Sequence, residues 1–85
     1  MEYSAVIKEV SWHPMQVINS ILLLAVRIPS FNYDIWIRDE APEEHLCQKY
    51  EIKRDPDGWR LSHLLKRKCL VAEDDRGFRF IKFIE

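Results

Sequence analysis

Residues 46–71 read LCQKYEIKRDPDGWRLSHLLKRKCLV, and the fold turns on how that stretch is divided. Pro42 suits the first position of a helix and Glu43 and Glu44 suit its first turn, where the helix dipole favours acids. That helix is predicted to run to about Tyr50, with Leu46, Cys47 and Tyr50 inward. A turn at 51–54 follows. Asp55 before Pro56 then reads as a cap and first position of a further helix reaching about Lys68, with Lys66, Arg67 and Lys68 in its last turn.

Working outward, residues 70–73 and 78–84 read as two strands. The turn between them is Asp74, Asp75, Arg76 and Gly77, with Gly77 able to take a left-handed backbone. Upstream, residues 33–38 (YDIWIR) read as a strand with Ile35 and Ile37 on one face and Trp36 on the other. Further upstream, Pro14 opens and Pro29 closes a predicted helix over 14–28. At about 100° per residue its apolar face is wide, and Leu23 falls inside the narrow polar stripe of Gln16, Asn19, Ser20 and Arg27. Residues 1–12 read as an N-terminal arm or an extra strand.

The expected order is thus helix, strand, helix, turn, helix, hairpin. In that order, residues 46–71 resemble the core of a winged helix-turn-helix domain. The small residue is Cys47, the spaced leucines are Leu61, Leu64 and Leu65, and Lys68-Cys69-Leu70-Val71 is the entry into the wing, whose tip lies near Arg76. The resemblance covers about residues 14–84. It implies an α+β winged helix-turn-helix fold: three helices, a small antiparallel sheet and a C-terminal wing hairpin in a single domain over 1–85. It also implies duplex DNA as the partner, with the third helix in the major groove.

Composition bounds the alternatives. The chain has 85 residues, 47% of them apolar, with 13 Lys and Arg against 14 Asp and Glu, for a net charge of −1. One domain fits that length. The charge excludes a histone-like polycation, and two cysteines cannot staple a disulfide-dense secreted scaffold. The longest apolar run, Ile21 to Val26, has six residues where a membrane span needs about 20, and the N-terminus carries no basic leader, so a cytoplasmic chain with no membrane partner is expected.

The small net charge hides a polarity. Between Asp34 and Glu51 six acids face two bases, a net −4. Between Lys53 and Lys82 nine bases face five acids, a net +4. The predicted nucleic-acid contacts are therefore Lys53, Arg54, Arg60, His63, Lys66 and Arg67, with Arg76 on the wing. Asp55 and Asp57 stand at the entrance of the third helix; where they interrupt the positive face, the reading shifts to a protein partner.

That alternative is a protein-binding winged-helix module, or a small phage or mobile-element protein acting on a host protein. Its interface residues are Trp12, Leu23, Trp36 and Trp59, large apolar groups on faces expected to be wet, which also suit a homodimer. Trp59 packs against the wing or marks a contact surface. No catalytic residue, cofactor or metal is expected. His45 and Cys47 point about 200° apart on one helix, a poor geometry for a shared ion. No glycine loop exists to cradle a phosphate.

Overall fold

The computed structural model describes residues 1–84, and its architecture is mostly β. The strands are β1 (Glu2–Gln16), β2 (Asn19–Arg27) and β3 (Asp34–Ala41), then, after helix α1 (Glu43–Tyr50), β4 (Lys53–Asp55) and β5 (Gly58–Arg60). A 3-10 turn (Ser62–Leu64) leads to β6 (Lys68–Asp74) and β7 (Gly77–Phe83). The winged helix-turn-helix expectation is therefore overturned: one α-helix is formed where three were expected.

The predicted helix over 14–28 is instead the end of β1, a two-residue turn and all of β2. β2 carries apolar residues on its outer face as well as its inner one, so it reads as a continuous apolar run, as a buried helix does; periodicity alone cannot separate them. β2 pairs with β1 on one side (Leu24 with Val10, Leu22 with Trp12) and with β3 on the other (Leu24 with Ile37, Leu22 with Asp39). Leu22, Leu24 and Val26 point inward and are fully buried. Leu23 points outward, as any odd-numbered residue here must.

The predicted third helix over 55–68 is also absent. Asp55, Pro56, Asp57 and Gly58 form the turn of the β4–β5 hairpin, with Lys53 opposite Arg60 and Arg54 opposite Trp59. The Asp57 N–H donates to Asp55 Oδ1, and Gly58 takes a φ of +134°. Asp-Pro thus sits in a turn rather than at a helix start, because Asp57-Gly58 completes a turn signal that a helix would have to violate. Of the three spaced leucines, Leu64 is buried, Leu61 half-buried and Leu65 exposed.

Other expectations match. α1 ends one turn after its buried Leu46, and the Glu51 backbone caps it in the left-handed region at φ 58°. In β3, Ile35 and Ile37 are buried and Trp36 is exposed. The C-terminal hairpin forms with its turn at Asp74 to Gly77, but it is no wing: β6 pairs with β1 and belongs to the main sheet.

Residues 1–12 are not an arm. β1 is the central strand, shared by both halves: Glu2 to Val6 pair with β6, and Val6 to Gln16 pair with β2 across a bulge at Lys8. Bulges bend a strand and sharpen its twist. Backbone bonds from Ile7 N to Arg67 O (3.0 Å) and from Lys66 N to Ile7 O (2.8 Å) extend the β6 side to the bend. The sheet order is β3-β2-β1-β6-β7, and β3 and β7 come against each other at the two edges. A three-strand meander, a helix, a returning hairpin and a first strand common to both halves thus curl one five-stranded antiparallel sheet toward a partly open barrel. Its core includes Ile7, Leu24, Ile37, Leu46, Tyr50, Val71 and Phe80.

Candidate functional site

Two surfaces carry chemistry. The first is the outer face of β1, β2 and β3. Antiparallel register places directly opposed residues on the same face. One row is therefore Ser11, Leu23 and Arg38, the next Glu9, Ala25 and Trp36, and the row toward the hairpin turn His13, Ile21 and Glu40. Trp36 is 55% exposed. Beside it, the small Ala25 leaves the indole standing over the sheet. His13, Gln16, Ile21, Leu23 and Arg38 line a depression of about 280 Å³. His13 Nε2 lies 2.8 Å from Ser11 Oγ, and Arg38 pairs with Glu40 at 2.8 Å while staying 61% exposed. The turn at the end of this face carries Val17 and Ile18, 91% and 77% exposed.

Of the four residues expected at a partner or dimer interface, only Leu23 and Trp36 share this face. Trp12 and Trp59 pack edge-to-face with ring centroids 5.4 Å apart, half-buried against the core, and the Arg54 guanidinium lies 5.3 Å from the Trp59 ring. These two indoles cover each other, which removes both from a common contact surface with Trp36. Arg38, His13 and Ile21 were missed in the sequence; reading β3 at period two from Trp36 would have found Arg38.

The second surface is basic. With the recognition helix gone, its residues lie on β4, β5, the 3-10 turn and the connection to β6, yet most still converge. Lys53, Arg60, His63 and Arg67 line one cleft of about 310 Å³ together with Glu51. His63, Lys66 and Arg67 line a second, of about 400 Å³, with Lys68, Leu65 and Ile84. The clefts adjoin, since His63 and Arg67 belong to both. Arg54 is turned onto Trp59, and Arg76 lies beyond the far end of β6, roughly 20 Å away at strand rise. These two of the seven expected contacts are not part of the cluster.

Local bonds fix the cleft. His63 Nε2 donates to the Tyr50 carbonyl at 3.1 Å, so the proton of the neutral ring sits on Nε2. Arg67 pairs with Glu51 at 3.1 Å and lies 3.9 Å over the Phe83 ring. Arg60 pairs with Asp55, which is also held in its own turn, and neither Asp55 nor Asp57 lines the clefts. Lys53, Lys66 and Lys68 form no ion pair among the described residues.

Elsewhere, both cysteines are free. Burial pushes the Cys69 thiol up to about 11 and raises Cys47, to which Glu43 adds; a raised thiol is a poor nucleophile. Among the described residues, no three His, Cys, Asp or Glu side chains come together to hold a metal ion, and no helix is long and apolar enough to cross a membrane. Compared with family models, curated proteins and solved structures, the chain matches none.

Proposed function

We propose that this chain is a small cytoplasmic binding module for single-stranded nucleic acid. The observation that carries the reading is Trp36, exposed on the outer face of the β1-β2-β3 meander with Leu23 and Arg38 in the adjacent row. The strand order resembles that of OB-type barrels, whose second and third strands and neighbouring loops take oligonucleotides and oligosaccharides. An exposed indole accepts an unpaired base by stacking, worth about 1–3 kcal/mol per base, and a neighbouring guanidinium adds cation–π and phosphate contact. Fold alone decides nothing here; the aromatic and the cation side by side supply the argument. Duplex DNA fits less well, since the helix expected to enter its major groove is absent. Two free cysteines suit a reducing cytoplasm.

The test is a titration of a labelled single-stranded oligonucleotide of about ten nucleotides, within the span that OB-type folds occupy, beside a duplex of the same length. Tighter binding to the single strand, weakened about 5- to 100-fold by Trp36→Ala, is the expected result. Equal affinity for both forms, or an unchanged affinity in the variant, overturns it.

One observation favours a second reading, that the same face docks a protein. Val17 and Ile18 extend the apolar surface of Ile21 and Leu23 to the hairpin tip, and nucleic acid gives such a tip little to contact. A partner protein, or a second copy of this chain, is then the occupant. Sedimentation of the free chain and of a Val17→Ser, Ile18→Ser variant separates a dimer from a monomer; nucleic-acid binding that survives the double substitution leaves the first reading in place.

A further inference from the structure

We infer that the paired clefts between the β4–β5 hairpin and residues 61–68 form a binding site for a ligand carrying two or more adjacent phosphates. The site is built from elements other than those bearing Trp36, and its anion chemistry stands without the single-strand reading.

Three observations converge. The first is charge. Lys53, Arg60, Lys66, Arg67 and Lys68 line the two clefts beside His63, against one lining acid among the described residues, Glu51; Glu51 pairs with Arg67, and Asp55, outside the clefts, pairs with Arg60. The cations come from β4, β5, the connection after the 3-10 turn and the start of β6. Folding thus gathers like charges from separate parts of the chain, and a polyanion relieves the repulsion this creates. Three of the lysines have no acidic partner among the described residues, so their ammonium groups are available as charge-assisted donors.

The second is backbone strain. Lys66 adopts φ +67°, a left-handed conformation unfavourable for a residue with a Cβ, while its N–H is held by the Ile7 carbonyl at 2.8 Å. Glycine would serve that backbone better, yet a lysine occupies it at the rim of the cleft. Strain of this kind collects at functional positions.

The third is shape. Leu65 is 47% exposed and, with Ile84, gives the larger cleft an apolar wall beside its cations. That combination suits a phosphate chain joined to a sugar or base better than an isolated small anion.

Adjacent phosphates reach such a site from a free polyphosphate compound or from a nucleic-acid backbone, and one experiment separates these sources. The isotope-labelled full chain is titrated by NMR with inorganic tripolyphosphate at about 50 mM salt, with sulfate at matched ionic strength as control. A single-stranded oligonucleotide is then added in its place. Saturable shifts at the amides of Lys53, His63, Lys66 and Arg67, with Trp36 unmoved, are the expected result for tripolyphosphate. Shifts no larger than those with sulfate overturn the proposal. If the oligonucleotide moves the same amides, the backbone is the source; if only tripolyphosphate does, the cleft serves a free polyphosphate compound, and the single-strand reading is decided separately by shifts at Trp36.

Two variants guard against misfolding. Lys66→Gly removes a cation while relaxing the strained backbone, so it is expected to be at least as stable as the parent and to bind tripolyphosphate about tenfold more weakly. Lys53→Gln, in the adjoining cleft, is expected to weaken binding comparably. Unchanged affinity in both variants overturns the assignment.

Discussion

The Tyr50 hydroxyl donates to Asp39 Oδ2 at 2.5 Å, tying the end of α1 to the middle of β3. Lys49 reaches the same carboxylate oxygen at 2.7 Å, and the Tyr50 ring lies 4.7 Å from Phe80 on β7. One buried phenol thus joins the helix to both edges of the sheet, where β3 and β7 meet.

Tyr50→Phe keeps the ring packing and removes the bond. A hydrogen bond to a charged acceptor is worth about 1.5–3 kcal/mol, and the variant is expected to lose that much in denaturant unfolding. Burial, then the bond to Asp39, raises the Tyr50 pKa above its ordinary value of 10.0. The unfolded phenol therefore gives up its proton first as pH rises. This contribution is intact below pH 10 and declines above it. Parent stability should fall more steeply there than that of Tyr50→Phe; parallel curves would contradict the account.

The thiols offer a second check. Cys69 is fully buried and its pKa is pushed up to about 11, whereas Cys47 is only half-buried. In native buffer at mild alkaline pH, a thiol reagent should modify Cys47 first. Cys69 should react only as fast as the barrel opens, and in denaturant both should react together. Early modification of Cys69, read by peptide mapping, would be the contrary result.

The three tryptophans should separate by quenching. Trp36 is exposed, while Trp12 and Trp59 cover one another. Acrylamide should quench one readily accessible component, and Trp36→Ala should abolish it without a change in unfolding midpoint, because the side chain contributes little to the core. Persistence of that component would place the accessible indole elsewhere.

Val17 takes φ +74° in a two-residue hairpin turn, a conformation ill-suited to a β-branched residue. Val17→Gly should relieve about 1 kcal/mol, raising the melting temperature by roughly 4–8 °C for a domain of this size. Calorimetry is the measurement, and a lower melting temperature would show that the Val17 side chain stabilises the fold through a contact.

Several elements were legible in the sequence because one local signal settled each. Pro42, Glu43 and Glu44 announced α1; Ile35 and Ile37 around Trp36 announced β3; Gly77 announced the last turn. Others carried two meanings. Residues 14–28 are apolar on all but a narrow stripe, and Leu23 falls inside that stripe, so helix and strand periods both fit. Asp55-Pro56 serves a helix start or a turn, and Asp57-Gly58 was needed to choose between them. The site divides likewise. Lys53, Arg60, His63, Lys66 and Arg67 were identifiable as candidate contacts, and Trp36 as an outward aromatic. Trp12 and Trp59 were not separable from Trp36, because what covers each indole is the other, 47 positions along the chain.

The sequence by itself determined the one helix with its acidic first turn, the C-terminal hairpin, the alternation that turns Trp36 outward, and the split between an acidic middle and a basic remainder. These depend on neighbours within a few residues. Only the tertiary structure decided that residues 2–16 form the central strand, and that an apparent helix is a strand hydrogen-bonded on both sides. It likewise decided which cations meet in a cleft and which are spent on Trp59 or a distant turn. Strand pairing joins residues as far apart as Glu2 and Ala72, and the energy that selects it lies in those partners rather than in either segment alone.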